Sequence, residues 1–178
     1  KHIHENLEVT VVYVTHDQSE ALTMSNRIAG FDDGIIQQLA APDVLYEKPE
    51  NAFVAQFIGE NNTLFGKVIG LDGDICTVEV EGGEKLKALS VNIQGVGFET
   101  MISLRPERVT VNPESGQCSS TVTGKVKELI YLGDHIRSRM NVCGHDDFIV
   151  KIPNSANHAQ LKPGDTVEVG WKADDARA

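Results

Sequence analysis

From Thr63 onward, the sequence is built from short runs of alternating apolar and polar residues, separated by Gly, Asp and Asn. Successive side chains of a β-strand point to opposite faces, so this alternation is typical of half-buried strands joined by turns. The pattern restricts this part of the chain to a mainly β fold. The predicted strands are 63–70, 75–80, 85–89, 100–105 and 108–112, followed after a polar link by 121–132, 135–142, 147–152 and 166–171.

The two sets of strands are similar to each other. Each set opens with the same three residues, Gly66-Lys67-Val68 in the first and Gly124-Lys125-Val126 in the second. A repeat with a period of about 50 residues is typical of a duplicated small unit. Five-stranded barrels of the OB type close their edges and are stable at this size. We therefore predict two OB-like small barrels, with halves at about 61–112 and 121–174.

The first sixty residues follow a different pattern. An apolar run over 9–14 ends in Thr15-His16-Asp17, and the segment 18–26 has helical spacing. Thr15 or Asp17 can accept a hydrogen bond from the first turn of that helix, and Glu20 has the spacing of a capping box. We predict that 9–14 is a buried strand and that His16 lies at its carboxyl end. Anions and nucleotides often bind at such a position in α/β proteins.

The rest of this segment predicts a hairpin and two short helices. Asp33-Gly34 is a strong turn signal between strands at 27–31 and 35–39. Pro42 suits the first turn of a short helix, because the N–H that it lacks has no partner there. Asn51 can cap a second helix over 52–58, and Gly59 can end it.

Composition and charge exclude several classes of function. The formal net charge is −10, which argues against binding to nucleic acid or to an anionic membrane, since such affinity comes mainly from Lys and Arg. The three cysteines lie far apart, and an odd number without a signal peptide fits a reduced, cytosolic protein. No apolar run approaches the roughly 20 residues that span a bilayer. Attachment to a membrane would require a partner protein.

Several linked motifs in the first sixty residues resemble those of a known family. The resemblance is to the switch-histidine region of ABC-transporter ATPases, and within them to importer subunits that carry an additional C-terminal regulatory domain. It implies that His16 contacts the γ-phosphate of ATP in an intact ATPase. The motifs are Val14-Thr15-His16-Asp17-Gln18, Glu20-Ala21, Arg27-Ile28-Ala29, Asp33-Gly34, Gln38, Pro42, Phe53-Val54-Ala55 and Phe57-Ile58-Gly59-Glu60.

Other motifs of such an ATPase are absent from this sequence. It contains no Gly-x-x-x-x-Gly-Lys-Ser/Thr phosphate loop, no Ser-Gly-Gly-Gln signature and no apolar run ending in Asp-Glu before His16. We therefore expect residues 1–60 to be a C-terminal remnant of an ABC ATPase domain. The resemblance implies ATP and Mg²⁺ as cofactors of the full-length protein. No cofactor and no ATP hydrolysis are expected for this chain alone.

The remaining motifs resemble the regulatory domain of that family, the transport-associated OB (TOBE) domain, here at 61–178. Leu104-Arg105-Pro106-Glu107 resembles its Arg-Pro-Glu motif, and Ile130-Tyr131-Leu132-Gly133-Asp134 resembles its Tyr-Leu-Gly element. Possible ligand or regulatory residues are Arg105, Glu107, Tyr131 and Asp134. Two simpler interpretations remain open: Arg105 and Glu107 brace two strands as a surface ion pair, and the second motif is a turn that requires Gly133.

The resemblance implies a subunit that couples ATP hydrolysis to solute uptake. The Tyr-Leu-Gly-Asp run and the junction Gly59-Glu60-Asn61-Asn62 look most like those of polyamine (spermidine/putrescine) importers. Expected partners are membrane permease subunits and a second copy of the chain. We expect the 9–14 strand to pair between the two copies or to be swapped between them. The expected location is cytoplasmic, peripheral to the membrane through the permease.

Other functions stay open at this point. The main alternative is a stand-alone OB-type module for a small oxyanion or another ligand such as an oligonucleotide. A pocket lined by Arg105, Lys125 or Arg137 would favour the oxyanion, and the acidic net charge disfavours the oligonucleotide. His135, His145 and His158 lack the spacing of metal ligands, so no metal site is expected. An independent enzyme has no motif in its favour.

Overall fold

The computed structural model describes residues 9–154 and 161–178. The chain forms two compact units, Lys1–Glu60 and Asn61–Ala178. Each has its own apolar core.

Residues 9–60 of the first unit contain three short helices and one hairpin. The small core consists of Ile28, Leu45, Val54 and Ile58. The elements in chain order are α1 (Gln18–Met24), β1 (Ile28–Asp32), β2 (Ile35–Ala40), α2 (Pro42–Glu47) and α3 (Ala52–Phe57).

Local hydrogen bonds explain where these elements begin. The side chain of Asp17 caps α1 by accepting from the N–H of Glu20 at 3.0 Å, and Asn51 caps α3 by accepting from Val54 at 3.0 Å. Asp33 and Gly34 join β1 to the antiparallel β2 with φ angles of 48° and 79°. Positive φ at both central residues is the requirement of a type I′ hairpin turn.

The predicted strand over residues 9–14 is wrong. These residues have no secondary structure, and the side chains of Val11, Val12 and Val14 are 62%, 87% and 91% exposed. A strand exists only through hydrogen bonds to a neighbouring strand, and β-propensity alone does not supply one. Within the described residues, no strand pairs with this segment. His16 therefore follows an unpaired segment and not the carboxyl end of a strand.

The second unit is mainly β, which confirms the predicted fold class. Strands β4, β5, β9 and β11 begin and end at the predicted residues. The strands are β3 (Asn62–Asp72), β4 (Ile75–Val80), β5 (Lys85–Leu89), β6 (Glu99–Leu104), β7 (Thr110–Val111), β8 (Ser120–Tyr131), β9 (His135–Val142), β10 (His145–Pro153), β11 (Thr166–Trp171) and β12 (Ala176–Arg177), with 3-10 turns at Pro106–Arg108 and Ala173–Asp175.

These strands form one closed barrel and one open sheet. The barrel has the order β12-β5-β4-β3-β6, and the five-stranded sheet has the order β10-β9-β8-β11-β7. One continuous core fills both, with Leu64, Val78 and Ile102 from the barrel and Met140, Val169 and Trp171 from the sheet.

The two strand sets exchange their terminal strands. β7 follows the barrel strands in sequence but pairs with β11 of the open sheet. β12, which lies beyond the second predicted half, pairs with β5 and β6 and closes the barrel. The strand predicted at 108–112 shrinks to two residues, because Pro106 starts a 3-10 turn before it and Asn112 has a φ of 48° after it.

The repeated Gly-Lys-Val elements occupy equivalent positions in two hairpins. Gly66 of β3 lies opposite Val80 of β4, and Gly124 of β8 lies opposite Val142 of β9. The register of each hairpin shifts just after the following valine. The internal similarity in the sequence thus corresponds to a repeated strand pair in the structure.

Candidate functional site

The turn that carries His16 is held by hydrogen bonds on both sides of the histidine. The N–H of Asp17 donates to Oγ1 of Thr15 at 3.0 Å, so that the bond spans His16. The hydroxyl of Thr15 donates to Oε2 of Glu20 at 2.8 Å, and the phenol of Tyr13 donates to the same oxygen at 3.1 Å. His16 itself is exposed, so its imidazole N–H can donate a hydrogen bond to an anionic ligand.

The carboxylate of Glu20 changes the acidity of its neighbour. Its hydrogen bond and negative charge raise the pKa of the Tyr13 phenol above the ordinary value of 10.0. The raised pKa shows that the carboxylate favours the protonated phenol, which is the form that donates this hydrogen bond. The exposed position of His16 is compatible with the expected contact to a phosphate.

Arg105 and Glu107 lie on the 3-10 turn that follows β6, and they face different surroundings. Arg105 is only 7% exposed, and its carbonyl accepts from the N–H of Arg108 at 3.0 Å. Oε2 of Glu107 lies 4.0 Å from Nζ of Lys151 on β10. Glu107 therefore connects the turn to the open sheet, while Arg105 is part of the interior.

The Tyr131–Asp134 segment forms the turn between β8 and β9. Gly133 has a φ of 95°, as expected for a turn that needs glycine. Nδ2 of Asn154 donates to the carbonyl of Gly133 at 2.9 Å. The side chain of Tyr131 is 66% exposed. The hydrogen bond from Asn154 thus holds the turn in place, and the aromatic ring of Tyr131 is exposed to solvent.

The carboxylate at the tip of this turn has a lowered pKa. Oδ1 of Asp134 lies 2.9 Å from Nδ1 of His135, and this hydrogen bond is the main cause of the lower pKa of Asp134. The carboxylate is fully exposed, so solvent screens the interaction.

Two of the predicted anion-binding residues, Lys125 and Arg137, lie apart along the β8–β9 hairpin. Lys125 lies opposite Asn141 of β9, whereas Arg137 lies four residues further along the same strand. At 3.2–3.4 Å per residue this is a separation of about 13 Å. Sequence reasoning did not include Lys151 among the candidate cationic residues, although it lies directly across from Arg137 on β10. Its position next to Arg137 depends on the register of the β9–β10 hairpin, which the sequence pattern does not report.

A metal site finds no support in the part of the chain that the structure describes. No group of three or more His, Cys, Asp or Glu side chains is arranged to hold an ion there. His135 and His145 lie at opposite ends of the β9–β10 hairpin, and His158 lies outside the described residues.

Among the helices of residues 9–154 and 161–178, none has the length and apolar character to cross a bilayer.

A family model for the TOBE domain matches residues 102–178. The structure is also similar to that of the cytoplasmic molybdate-binding protein ModG in its molybdate-bound form. The TM-score is 0.55 at 20% sequence identity, and the match covers 65% of this chain and 92% of the ModG chain. At this identity the similarity concerns the fold alone.

Similarity to curated proteins extends along nearly the whole chain. The spermidine/putrescine import ATP-binding protein PotA of Rubrobacter xylanophilus is 38% identical over 175 residues, which are 97% of this chain and 46% of that protein. PotA of Chromobacterium violaceum is 37% identical over 180 residues, 97% of this chain and 49% of that protein. The chain spans about half the length of these relatives. Along nearly its whole length the chain is thus related in sequence to these import ATP-binding proteins, and its residues 102–178 match the TOBE-domain family.

Proposed function

We propose that this chain is the C-terminal regulatory and dimerisation portion of the ATP-binding subunit of an ABC importer for polyamines. The observation that carries the proposal is the similarity to PotA proteins along 97% of the chain. In this proposal the full-length protein binds ATP and Mg²⁺, and His16 contacts the γ-phosphate. The subunit works at the cytoplasmic face of a membrane, attached through permease subunits.

The role that we propose for the β unit is mechanical. It holds two subunits together while their ATP-binding domains open and close. Large apolar side chains on its surface support a protein contact: Phe65 is 54% exposed, Phe98 50% and Tyr131 66%. We also propose that the exposed segment 9–14 pairs between copies of the chain, since it is apolar and rich in β-branched residues, and no strand among the described residues pairs with it.

Enzymology on the full-length protein tests the ATPase part of this proposal. The coding sequence upstream of Lys1 is expected to contain a phosphate loop, and the protein made from it is expected to hydrolyse ATP. The variant His16→Ala should lose most of that activity, while Thr23→Ala, a change on the exposed side of α1, should retain it. A full-length protein without ATPase activity would refute the proposal.

Sedimentation of the present chain tests the dimer. We expect a monomer–dimer equilibrium that Tyr131→Ser or Phe98→Ser shifts toward monomer, because each change removes exposed apolar surface. A chain that stays monomeric at high concentration would contradict the dimerisation role without affecting the ATPase part.

A stand-alone oxyanion-binding module is the second candidate. The similarity of fold to molybdate-binding ModG favours it, whereas the separation of Lys125 from Arg137 does not. Titration calorimetry with molybdate and with sulfate distinguishes the two functions. Saturable binding that is lost in Arg137→Gln but kept in Lys125→Gln would support the module, and no heat with either anion would exclude it for these ligands.

A further inference from the structure

The carboxylate of Glu20 holds together the two sides of the His16 turn. It lies in the first turn of α1, and one of its oxygens accepts from both Thr15 (2.8 Å) and Tyr13 (3.1 Å). The backbone N–H of Glu20 donates to Oδ1 of Asp17, the capping residue. Glu20 therefore contacts residues before and after His16, although no hydrogen bond between Glu20 and His16 itself is observed.

The geometry of Thr15 transmits this contact to the backbone of His16. The Thr15 hydroxyl has one hydrogen to donate and lone pairs to accept. Because the hydrogen is directed to Glu20, a lone pair is available for the N–H of Asp17 at 3.0 Å. A hydroxyl that accepts from the N–H two residues ahead closes a small ring, which restricts the φ and ψ angles of the residue between them. That residue is His16.

We propose that Glu20 is a positioning residue for His16. It fixes the rotamer of Thr15, and Thr15 in turn fixes the backbone from which the imidazole projects. The inference rests on the proposed function insofar as it assigns a role in ATP hydrolysis. The conformational part concerns this chain alone. The hydrogen bond from Tyr13, whose pKa is raised by the same carboxylate, provides an independent spectroscopic signal of the network.

Nuclear magnetic resonance of the labelled chain tests the conformational part. Glu20→Ala and Thr15→Val should both shift the amide resonances of His16 and Asp17, and the double variant should add little, since the two residues act through one contact. Glu20→Gln, whose amide oxygen still accepts, should restore most of the wild-type shifts. Thr23→Ala is the matched control, because its hydroxyl bonds to carbonyls of Ser19 and Glu20 within α1. Unchanged His16 resonances in Glu20→Ala would overturn the proposal.

Titration of Tyr13 by ultraviolet difference absorbance provides a second measurement on the same variants. Glu20→Ala should lower the pKa of Tyr13 toward its ordinary value, and Thr23→Ala should leave the pKa where it is. A Tyr13 pKa that is identical in wild type and Glu20→Ala would show that the carboxylate does not form the network.

The full-length subunit tests the functional part. Glu20→Ala should lower kcat for ATP hydrolysis about tenfold or more, because small misplacements of a contacting group are costly, with little change in KM for ATP. Glu20→Gln should recover most of the rate. A loss in His16→Ala without a loss in Glu20→Ala would refute positioning. Full activity in His16→Ala would instead refute the proposed role of His16, and the resonance data would still decide whether Glu20 fixes the turn.

Discussion

The carboxamide of Asn62 forms two hydrogen bonds with the backbone of Ile149. Nδ2 donates to the carbonyl at 2.8 Å, and Oδ1 accepts from the N–H at 2.7 Å. The side chain of a barrel residue thereby occupies the free edge of β10, as a neighbouring strand would. Exposed sheet edges invite pairing with other chains, and covering them is a common protection. Asn62 belongs to the junction that resembles polyamine importers, and its position here is that of a structural residue.

Replacement of Asn62 by Ala is expected to destabilise the β unit strongly. An unpaired buried donor or acceptor costs about 1–3 kcal/mol, so the loss of both bonds should lower the free energy of unfolding by about 2–5 kcal/mol. Urea unfolding followed by the fluorescence of Trp171 measures this. Asn61→Ala is the matched control, because Asn61 is partly exposed and accepts one bond from Ser103. Equal effects of the two changes would contradict the role of Asn62.

Gly66→Ala should destabilise the barrel, whereas Gly70→Ala should not. A Cβ atom at residue 66 would overlap the carbonyl oxygen of Glu79, a backbone atom that cannot move alone. The expected cost is about 1–3 kcal/mol. At Gly70 the nearest atom is Thr77 Cβ, 3.9 Å away, so the change should stay within about 0.5 kcal/mol. Urea unfolding of the two variants measures both changes in the free energy of unfolding, and equal values would contradict this prediction.

Cys143 should react slowly with alkylating reagents in the folded protein. Burial, with a smaller contribution from the charge of Glu84, raises the pKa of its thiol from 9.0 to about 12. Each unit lowers the reactive thiolate fraction tenfold, roughly a thousandfold in all. Iodoacetamide at pH 8, read out by mass spectrometry, should modify Cys143 at least about a hundredfold faster after unfolding in urea. Similar rates in both states would contradict the burial.

The same thiol makes stability depend on pH in the alkaline range. The folded state retains the proton of Cys143 above the ordinary pKa of 9.0, whereas the unfolded chain loses it. The contribution of this thiol is therefore complete below pH 9 and decreases as the pH rises toward 12. Comparison of the wild type with Cys143→Ala between pH 8 and pH 11 should show a smaller difference at the higher pH. A constant difference would contradict the raised pKa.

Arg105→Ala should cost more stability than Glu107→Gln, although the two residues belong to one motif. Arg105 is 7% exposed, and a buried guanidinium contributes hydrogen bonds and packing that Ala cannot replace, at a cost of about 2 kcal/mol or more. Glu107 pairs with Lys151 at 4.0 Å and is partly exposed, which is worth less than about 1 kcal/mol. If Glu107→Gln proves the more damaging in urea unfolding, the assignment of Arg105 to the interior is wrong.

Sequence patterns identified the strands well but not their pairing. The strands at 75–80, 85–89, 135–142 and 166–171 follow from alternation, because half-buried strands have that period. β12 was missed because two residues carry no periodic signal. The opposite error occurred at 9–14, where an apolar β-branched run predicted a strand that finds no partner among the described residues.

The site shows the same division. The sequence indicated Thr15 or Asp17 as the cap of α1, of which the structure shows Asp17, and Gly133 as a turn glycine, since each depends on residues a few positions away. The contact of Glu107 with Lys151 and the separation of Lys125 from Arg137 depend on hairpin register and on the packing of the 3-10 turn against β10. No local pattern reports these relationships.

What the sequence determined by itself is therefore local: the caps at Asp17 and Asn51, the Asp33-Gly34 turn, and the alternation of most strands. These follow from sterics and hydrogen bonds between near neighbours. Tertiary structure alone decided that β12 closes the barrel and that Asn62 joins Ile149, 87 residues away. Such pairings are selected by the burial of one core shared by both strand sets, which is a property of the whole unit and not of any segment.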